Sequence, residues 1–187
     1  YVLCGFTASY GAGGVGDYDA WTMKLDADGN PLWSRTAGGN KFDQANCVIE
    51  AASGAILVAG ETTTASGNGS TDFYVICYDT NGAHQWSRTY GSAAGFERAR
   101  AIVETPDHNF ILAGYTDSTG AGNKDALLVK IDPNGNELSA QTFGGAGCDE
   151  AFAIARTTDG HYVLAGNTSS SGAGGVDGWT VKVGDLD

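Results

Sequence analysis

The sequence has little proline, little methionine and few basic residues. It contains 3 Pro and 1 Met, and its 10 Lys plus Arg face 22 Asp plus Glu, which gives a formal net charge of −12. Nucleic-acid binding depends on Lys and Arg side chains that displace counterions from phosphates, so this charge argues against DNA or RNA as a partner. It also disfavours binding to anionic membrane surfaces.

Long apolar runs and metal-binding cysteine motifs are lacking as well. No run approaches the roughly 18 consecutive apolar residues that a membrane-spanning helix needs, so we expect no membrane insertion. The 4 cysteines show no C-x-x-C spacing and have no histidine-rich neighbourhood. A zinc site is therefore disfavoured.

What the sequence has in abundance is glycine, together with an internal repeat. Its 29 glycines and 42% hydrophobic residues indicate many tight turns around a folded core. The motif YVLCG at Tyr1 returns as ILVAG at Ile56, FILAG at Phe110 and YVLAG at Tyr162. We therefore treat 1–187 as one repeat domain, with copies at about 1–55, 56–109 and 110–161 and an incomplete copy at 162–187.

Each repeat unit contains four short apolar runs, exemplified by ANCVIEA, ILVAG, DFYVICYD and QWSRTYG. The runs are rich in β-branched and aromatic residues and are bounded by Gly, Asn and Asp, as strands are. Four strands at a period of about 50 residues are typical of a propeller blade. The sequence thus predicts an all-β β-propeller of four-stranded antiparallel blades, with about fourteen strands in about three and a half blades.

The strand order predicts incomplete blades at both ends. Counted from the central axis outward, the chain begins on a second strand and ends on a third strand. Propellers usually pair such edges, because an open edge invites association. We therefore expect a segment of a larger ring, or a ring completed by other strands, with self-association through the open edges as a further expectation.

The long loops are predicted to share one face. Antiparallel strands alternate in direction, so the loops TASYGAGGVGDY, TTTASGNGST, TDSTGAGNK and TSSSGAGGV lie on the same side as AGGNKFD, GSAAGFE and GGAGCD. We call this side the long-loop face. Long polar loops on a rigid scaffold commonly carry binding sites, so we expect a protein or glycan partner there.

One acidic residue precedes each innermost strand: Asp43, Glu97 and Asp149. In a propeller these residues would form a carboxylate ring at the channel mouth. Hard cations such as Ca²⁺ bind several oxygens, so the ring is a candidate metal site. We expect no cofactor unless Ca²⁺ binds here. The alternative is structural: the carboxylates cap strand ends and accept hydrogen bonds from loop amides.

Other recurring polar residues favour structural roles. An Asp begins every third strand, at Asp19, Asp72, Asp125 and Asp177, and can accept amide hydrogen bonds from the preceding glycine-rich loop. The Asp26-to-Asn30 segment resembles a calcium loop only faintly and is predicted to be a hairpin turn. His84, His108 and His161 are expected in turns on the opposite face. We therefore assign no catalytic residue.

Aromatic residues recur at equivalent positions of the copies, whereas each cysteine stands where other copies have a different residue. Trp21, Tyr74 and Trp179 occupy one equivalent position and are expected to fill the space between blades, with sugar stacking as the alternative. Cys4 and Cys47 stand where other copies have alanine, which predicts small buried side chains. Cys77 stands where other copies have lysine, so we expect it to be partly exposed.

The repeat unit resembles the propeller repeats of bacterial and archaeal cell-surface proteins and lipoproteins. The unit D-A-W-x-x-K-L-D-x-x-G-N-x-x-W, followed by the Y-x-L-A-G-x-T-S-S-x-G-A-G-G segment, carries this resemblance over essentially the whole chain. The resemblance implies an extracellular or cell-surface location. A weaker resemblance to quinoprotein repeats lies in the spacing of Asp26, Gly29 and Trp33, but the chain has no adjacent cysteines of the kind found in quinone enzymes.

Three functions are compatible with the sequence. The first is a non-enzymatic extracellular or cell-surface module for protein or glycan binding or for assembly, which repeated units suit well. The second is an enzyme with its site at the channel mouth, either a quinone-dependent dehydrogenase or a glycan-active hydrolase or lyase. A hydrolase would need two suitably spaced carboxylates, which Asp43, Glu97 and Asp149 could supply. The third is a truncated or designed propeller fragment with no function of its own.

Overall fold

The computed structural model describes residues 1–9, 17–63, 71–92, 95–184 and 186. Within these residues the structure is all-β and contains fourteen strands. In chain order they are β1 (Val2–Thr7), β2 (Asp19–Leu25), β3 (Pro31–Ala37), β4 (Asp43–Glu50), β5 (Ile56–Thr62), β6 (Asp72–Tyr78), β7 (His84–Tyr90), β8 (Glu97–Glu104), β9 (Phe110–Thr116), β10 (Asp125–Ile131), β11 (Glu137–Phe143), β12 (Asp149–Arg156), β13 (Tyr162–Thr168) and β14 (Asp177–Val183). The described part of the chain contains no helix that could span a membrane.

The strands form four antiparallel sheets in chain order. The first sheet is β1-β2-β3, the second is β4-β5-β6-β7, the third is β8-β9-β10-β11 and the fourth is β12-β13-β14. The first sheet therefore has no strand inside β1, and the fourth has none outside β14, as the repeat pattern predicts. This architecture confirms the prediction of an all-β propeller built from antiparallel blades.

Three apolar layers lie between successive sheets. The layer between the first and second sheets holds Ala20 and Trp33 against Ile56, Ile76 and Tyr78. Corresponding clusters separate the second sheet from the third and the third from the fourth. Burial follows from this stacking: every residue of β5, β9 and β10 is buried, because each of these strands is covered on both faces. In β14 buried or half-buried residues alternate with exposed ones, because the fourth sheet is covered on one face.

Hydrogen bonds also tie each outermost strand to the next sheet. Trp33 Nε1 donates to the carbonyl oxygen of Thr80 at 3.2 Å, and Trp86 Nε1 donates to that of Pro133 at 3.1 Å. Ser139 Oγ donates to the carbonyl oxygen of Leu186. Each bond joins residues that are 47 positions apart, so the same contact recurs at each boundary between successive sheets. We call these three contacts the inter-sheet hydrogen bonds.

The connections between β2 and β3, β6 and β7, and β10 and β11 are the predicted hairpin turns. In the first of them, Asp26 Oδ1 accepts the N–H groups of Asp28 and Asn30 at 2.9 and 2.8 Å. Asp79 and Asp132 repeat this arrangement in the next two sheets. The aspartate thus organises the turn through its own carboxylate, as an Asx turn does.

One prediction about cysteine was wrong. Cys77 is 4% exposed and belongs to the apolar layer between the second and third sheets. Its place in the alternation of β6 points it at the third sheet, whereas the equivalent Lys24 reaches out to Glu50. The lysine found in other copies is therefore no guide to exposure, because a long lysine stem can pass across buried apolar surface to a polar partner.

Candidate binding site on the long-loop face

The long loops and the outer-to-inner loops meet at one end of the sheets. The N–H of Asp43 donates to the carbonyl oxygen of Tyr18 at 2.7 Å, and the N–H of Asp149 donates to that of Lys124 at 2.8 Å. In the first case the loop that leads into β2 supports the start of β4. In the second case the loop that leads into β10 supports the start of β12. Residues 10–16, 64–70 and 93–94 of the predicted loops lie outside the described residues.

Asp43, Glu97 and Asp149 lie at this end of the molecule, one at the start of each first strand. All three are buried, with at most 1% of the residue exposed. Each accepts a hydrogen bond from a threonine of the neighbouring second strand: Thr62, Thr116 and Thr168 donate to Asp43, Glu97 and Asp149 respectively. The carboxylates therefore hold the first and second strands together.

Each of these three carboxylates also faces an aspartate of the preceding sheet across a glycine. A Cβ placed on Gly91 would lie 2.6 Å from Glu97 Oε2 and 2.7 Å from Asp72 Oδ1. Gly38 and Gly144 are similarly enclosed by acidic pairs, Asp19 with Asp43 and Asp125 with Asp149. The glycine is required because any side chain would displace the carboxylates. The acids therefore recur once per repeat because each forms a separate buried pair with an aspartate of the preceding sheet.

The surroundings of these acids match the structural alternative. Asp43 Oδ2 accepts the N–H of Gly39 and Asp149 Oδ2 accepts that of Gly145, both at 2.8 Å. Burial works to raise the pKa of Asp149, but hydrogen bonds from Ser170, Thr168 and the Gly145 amide outweigh it and hold the pKa below its usual value. Among the described residues, no three His, Cys, Asp or Glu side chains are placed to hold one metal ion. A Ca²⁺ site at these residues stays a prediction.

Sequence comparison missed a charged cluster between the second and third sheets. Glu61 on β5 is 1% exposed, and its Oε2 lies 2.6 Å from Nε of Arg98 on β8. The N–H of Arg98 does not point at this oxygen, so the contact is an ion pair without an aligned hydrogen bond. Burial raises the pKa of Glu61, although the charges of Arg98 and Arg100 and a hydrogen bond from Asn46 act in the opposite direction.

The signal for this cluster was a difference between the copies. Glu61 stands where the other copies have Phe6, Tyr115 and Asn167, and Arg98 stands where they have Gln44 and Glu150. Residues that recur in every copy indicate the repeat, whereas a residue that breaks the repeat leaves no such pattern. The cluster therefore distinguishes the second and third sheets from the rest of the propeller.

An aromatic cluster lies beside these charges at the same end of the molecule. The Phe6 and Tyr18 rings meet edge to face with centroids 5.2 Å apart, and Tyr18 meets Phe42 at 5.7 Å. Phe6 is 49% exposed and Tyr18 is 36% exposed. Phe42 precedes β4 by one residue, and Glu61 pairs with Gln44 in the register of β4 and β5. The aromatic and charged clusters therefore occupy neighbouring positions on the long-loop face.

The aromatic residues singled out from the sequence are divided between two roles. Tyr74 and Trp179 pack against the layers between sheets, as expected. Trp21 lies on the face of the first sheet that no other sheet of this chain covers, and its Nε1 donates to Ser34 Oγ at 2.8 Å. Equivalent positions in the repeat thus have different surroundings at the end of the array.

A comparison with protein families agrees with the fold. A family described as "Domain of unknown function (DUF5122) beta-propeller" matches residues 51–83, which contain β5 and β6. A crystal structure of a protein of unknown function from Bacteroides caccae is similar at 15% identity and a TM-score of 0.46, over 82% of this chain and 50% of that one. The chain thus spans about half the length of that protein. No curated protein matches the chain.

Proposed function

We propose that this β-propeller domain is a non-enzymatic extracellular or cell-surface module that binds a glycan on its long-loop face. The observation that carries the proposal is the Phe6–Tyr18–Phe42 cluster, which exposes aromatic rings at the loop end of the sheets. Exposed aromatic rings offer large rigid surfaces for stacking against the apolar faces of sugar rings. A core does not need them there, since Phe6 and Tyr18 lie outside the three apolar layers.

The neighbouring polar groups supply what a sugar's hydroxyl groups require. Gln44 Nε2 donates to Asn46 Oδ1 at 2.9 Å, and Asn46 Nδ2 donates to the carbonyl oxygen of Ala99 at 2.9 Å. Their mutual hydrogen bonds hold the amides in fixed directions. Arg98, whose side chain is 38% exposed, adds a cation that favours a glycan bearing carboxylate groups.

The test is calorimetric titration of the chain with neutral and uronic-acid-containing oligosaccharides. Phe6→Ala and Tyr18→Ala are expected to weaken binding about 5-fold or more, because each removes stacking surface worth about 1 kcal/mol or more. Leu138→Ala is the matched control, since Leu138 is an exposed apolar residue on the outermost strand of the third sheet. Absence of glycan binding, or equal losses in the control, would overturn the proposal, and binding of a protein ligand by the same residues would reassign the site.

An enzyme is the second candidate, and the raised pKa of Glu61 is the observation that favours it. A carboxyl group with a raised pKa can act as a general acid near neutral pH. Glu61→Gln separates the two functions, because an enzyme would lose turnover of a bound glycan while a binding module would show no turnover before or after the change. Product analysis by mass spectrometry after prolonged incubation provides the measurement.

A further inference from the structure

The first sheet exposes two large side chains, Tyr1 and Leu3, at positions where the fourth sheet buries its own. We call the face of each sheet that points toward the preceding sheet its leading face, and the opposite face its trailing face. On the first sheet the leading face carries Tyr1, Leu3, Trp21, Met23 and Leu25, as the cross-strand register places them together. The equivalent residues of the fourth sheet are Tyr162, Leu164, Trp179, Val181 and Val183. Three of the five positions are identical, and the other two remain apolar.

The two leading faces differ in what covers them. Tyr162 and Leu164 are 0% exposed because the third sheet lies against them, whereas Tyr1 is 75% and Leu3 is 45% exposed. Trp21 and Met23 line an open groove of about 650 Å³ on this side. The first sheet therefore presents to solvent a surface whose composition matches a buried one.

The fourth sheet shows the opposite match on its trailing face. Its residues there are Val163, Ala165, Gly178, Thr180 and Lys182, and the equivalent residues of the first sheet are Val2, Cys4, Ala20, Thr22 and Lys24. In the first sheet, Ala20 and Thr22 are each 1% exposed beneath the second sheet. In the fourth sheet, Ala165, Gly178 and Thr180 are exposed.

Size complementarity connects these two open faces. Where the first sheet meets the second, small residues of a trailing face receive large residues of a leading face, Ile56, Val58, Tyr74, Ile76 and Tyr78. The trailing face of the fourth sheet has the same small residues, and the leading face of the first sheet has comparably large ones. We propose that the leading face of the first sheet docks on the trailing face of the fourth sheet of a second copy of this chain.

A second copy is the occupant that the residues favour. Both halves of the contact are present on one chain, each resembling a surface that already packs in this manner within it. A contact between two different patches is head to tail, and it closes only if the rotation between copies completes a ring. Propellers usually have about 4–8 blades, so two copies with eight sheets close within that range. The inference concerns assembly and does not depend on the proposed glycan site.

The contact between copies is expected to be weaker than the contacts within a chain. Among the described residues, the fourth sheet offers no counterpart of Trp33 or Trp86, whose inter-sheet hydrogen bonds fasten the contacts within the chain. Consistent with this, Gly82 and Gly135 lie under those two indole rings, whereas nothing lies within 4 Å of a Cβ placed on Gly29. Repulsion between copies that each carry a charge of −12 should also make association tighten as salt is added.

The experiment is sedimentation velocity across a concentration series at moderate salt. We expect a reversible species with twice the mass of one chain. Leu3→Asp on the leading face and Ala165→Arg on the trailing face should each weaken association at least about 10-fold, since each places a charge in an apolar contact. Leu138→Asp, an exposed apolar position away from both faces, should leave the mass unchanged. Circular dichroism of each variant checks that the sheets remain folded.

A mixture of the two face variants provides the sharpest result. Leu3→Asp leaves the trailing face intact and Ala165→Arg leaves the leading face intact, so the mixture can form one native contact, and dimers should partly return. A chain that stays monomeric at its highest soluble concentration would overturn the proposal. Association that persists in both face variants, or that Leu138→Asp also abolishes, would overturn it equally.

Discussion

Glu61 of the second sheet and Arg98 of the third form an ion pair across the boundary between two blades, with Nε of Arg98 2.6 Å from Oε2 of Glu61. The acid is buried and the base is partly exposed, so the pair connects the interior of the propeller to its long-loop face. None of the other sheet boundaries has this pair, because the equivalent positions carry other residues.

Replacing Arg98 by alanine should destabilise the protein in a manner that depends on pH. Burial already raises the pKa of Glu61 above 4.5, so the folded state holds this proton more tightly than the unfolded state does. Stability from this group is therefore greatest at acid pH and is lost as pH rises above 4.5. Arg98→Ala removes the main charge that lowers the pKa of Glu61, so this pKa should rise further. The pH range over which stability is lost should then become wider.

We expect the loss in Arg98→Ala at neutral pH to be below the roughly 3–5 kcal/mol typical of a fully buried broken pair, because Arg98 is partly exposed and Arg100 remains nearby. Urea denaturation at acid and neutral pH measures the difference. The double variant with Glu61→Gln should recover most of the neutral-pH loss. A loss that is the same at both pH values would contradict the explanation.

Two glycines in equivalent turns should respond differently to the same substitution. Gly29 and Gly82 both have positive φ, at 85° and 76°, so alanine should cost about 1–2 kcal/mol in backbone strain at either position. At Gly82 the new Cβ would also lie 2.7 Å from the Trp33 indole, whereas at Gly29 it would meet open space. Gly82→Ala should therefore destabilise by at least about 1 kcal/mol more than Gly29→Ala. Thermal unfolding of both variants at one protein concentration tests this, and equal losses would argue against the contact.

Asp149→Asn should lower stability at neutral pH. Hydrogen bonds hold the pKa of Asp149 below 3.8, so its stabilising contribution is present above that pH and is lost as the pH falls below it. The asparagine amide can no longer accept all the hydrogen bonds from Thr168, Ser170 and the Gly145 amide, so we expect a loss of about 1–3 kcal/mol. Asp28→Asn in an exposed turn is the control and should be nearly neutral.

The same Asp149 variant separates the two interpretations of the acidic residues. If the carboxylates act by hydrogen bonding alone, millimolar Ca²⁺ should leave the melting temperature of the wild-type chain unchanged. A Ca²⁺-dependent rise that disappears in Asp149→Asn would instead support the cation site predicted from the sequence.

The cysteines should differ in their reaction with iodoacetamide at mildly alkaline pH. Burial raises the pKa of Cys47 to about 12 and that of Cys77 to about 11. Both should react about 100-fold or more slowly in the folded protein than in urea, because the thiolate is the reactive form. Cys148, half-buried on the long-loop face, should be alkylated first. Mass spectrometry of timed digests gives the order, and early labelling of Cys77 would contradict its buried position.

The sequence predicted the fold well because the fold is itself repetitive. The runs DAWTMKLD and DFYVICYD match β2 and β6 from their first Asp, since both strand starts are fixed by the same hydrogen-bonding requirement. The sequence alone could not show which face of a strand is covered. Cys77 and Trp21 illustrate this, because their exposure depends on the neighbouring sheet and not on the residues beside them in the chain.

The candidate site was harder to predict, for a different physical reason. The recurring acids Asp43, Glu97 and Asp149 attracted attention, yet their recurrence follows from a recurring structural need at each sheet boundary. The Glu61–Arg98 pair and the Phe6–Tyr18–Phe42 cluster arise where one copy departs from the others. In a repeat protein, the departures from the consensus carry more information about a binding site than the consensus does.

The inter-sheet hydrogen bonds also determine how the molecule should yield to force. Two of them fasten an outer strand to a turn 47 residues further along, and the third fastens an outer strand to Leu186. Tension applied at the two termini must therefore break these attachments before a sheet can peel away. Because each sheet touches chiefly its neighbours, extension should proceed as separate rips, each releasing about one repeat of chain. The propeller would then resist stretching through several weak contacts that break one at a time and can each form again.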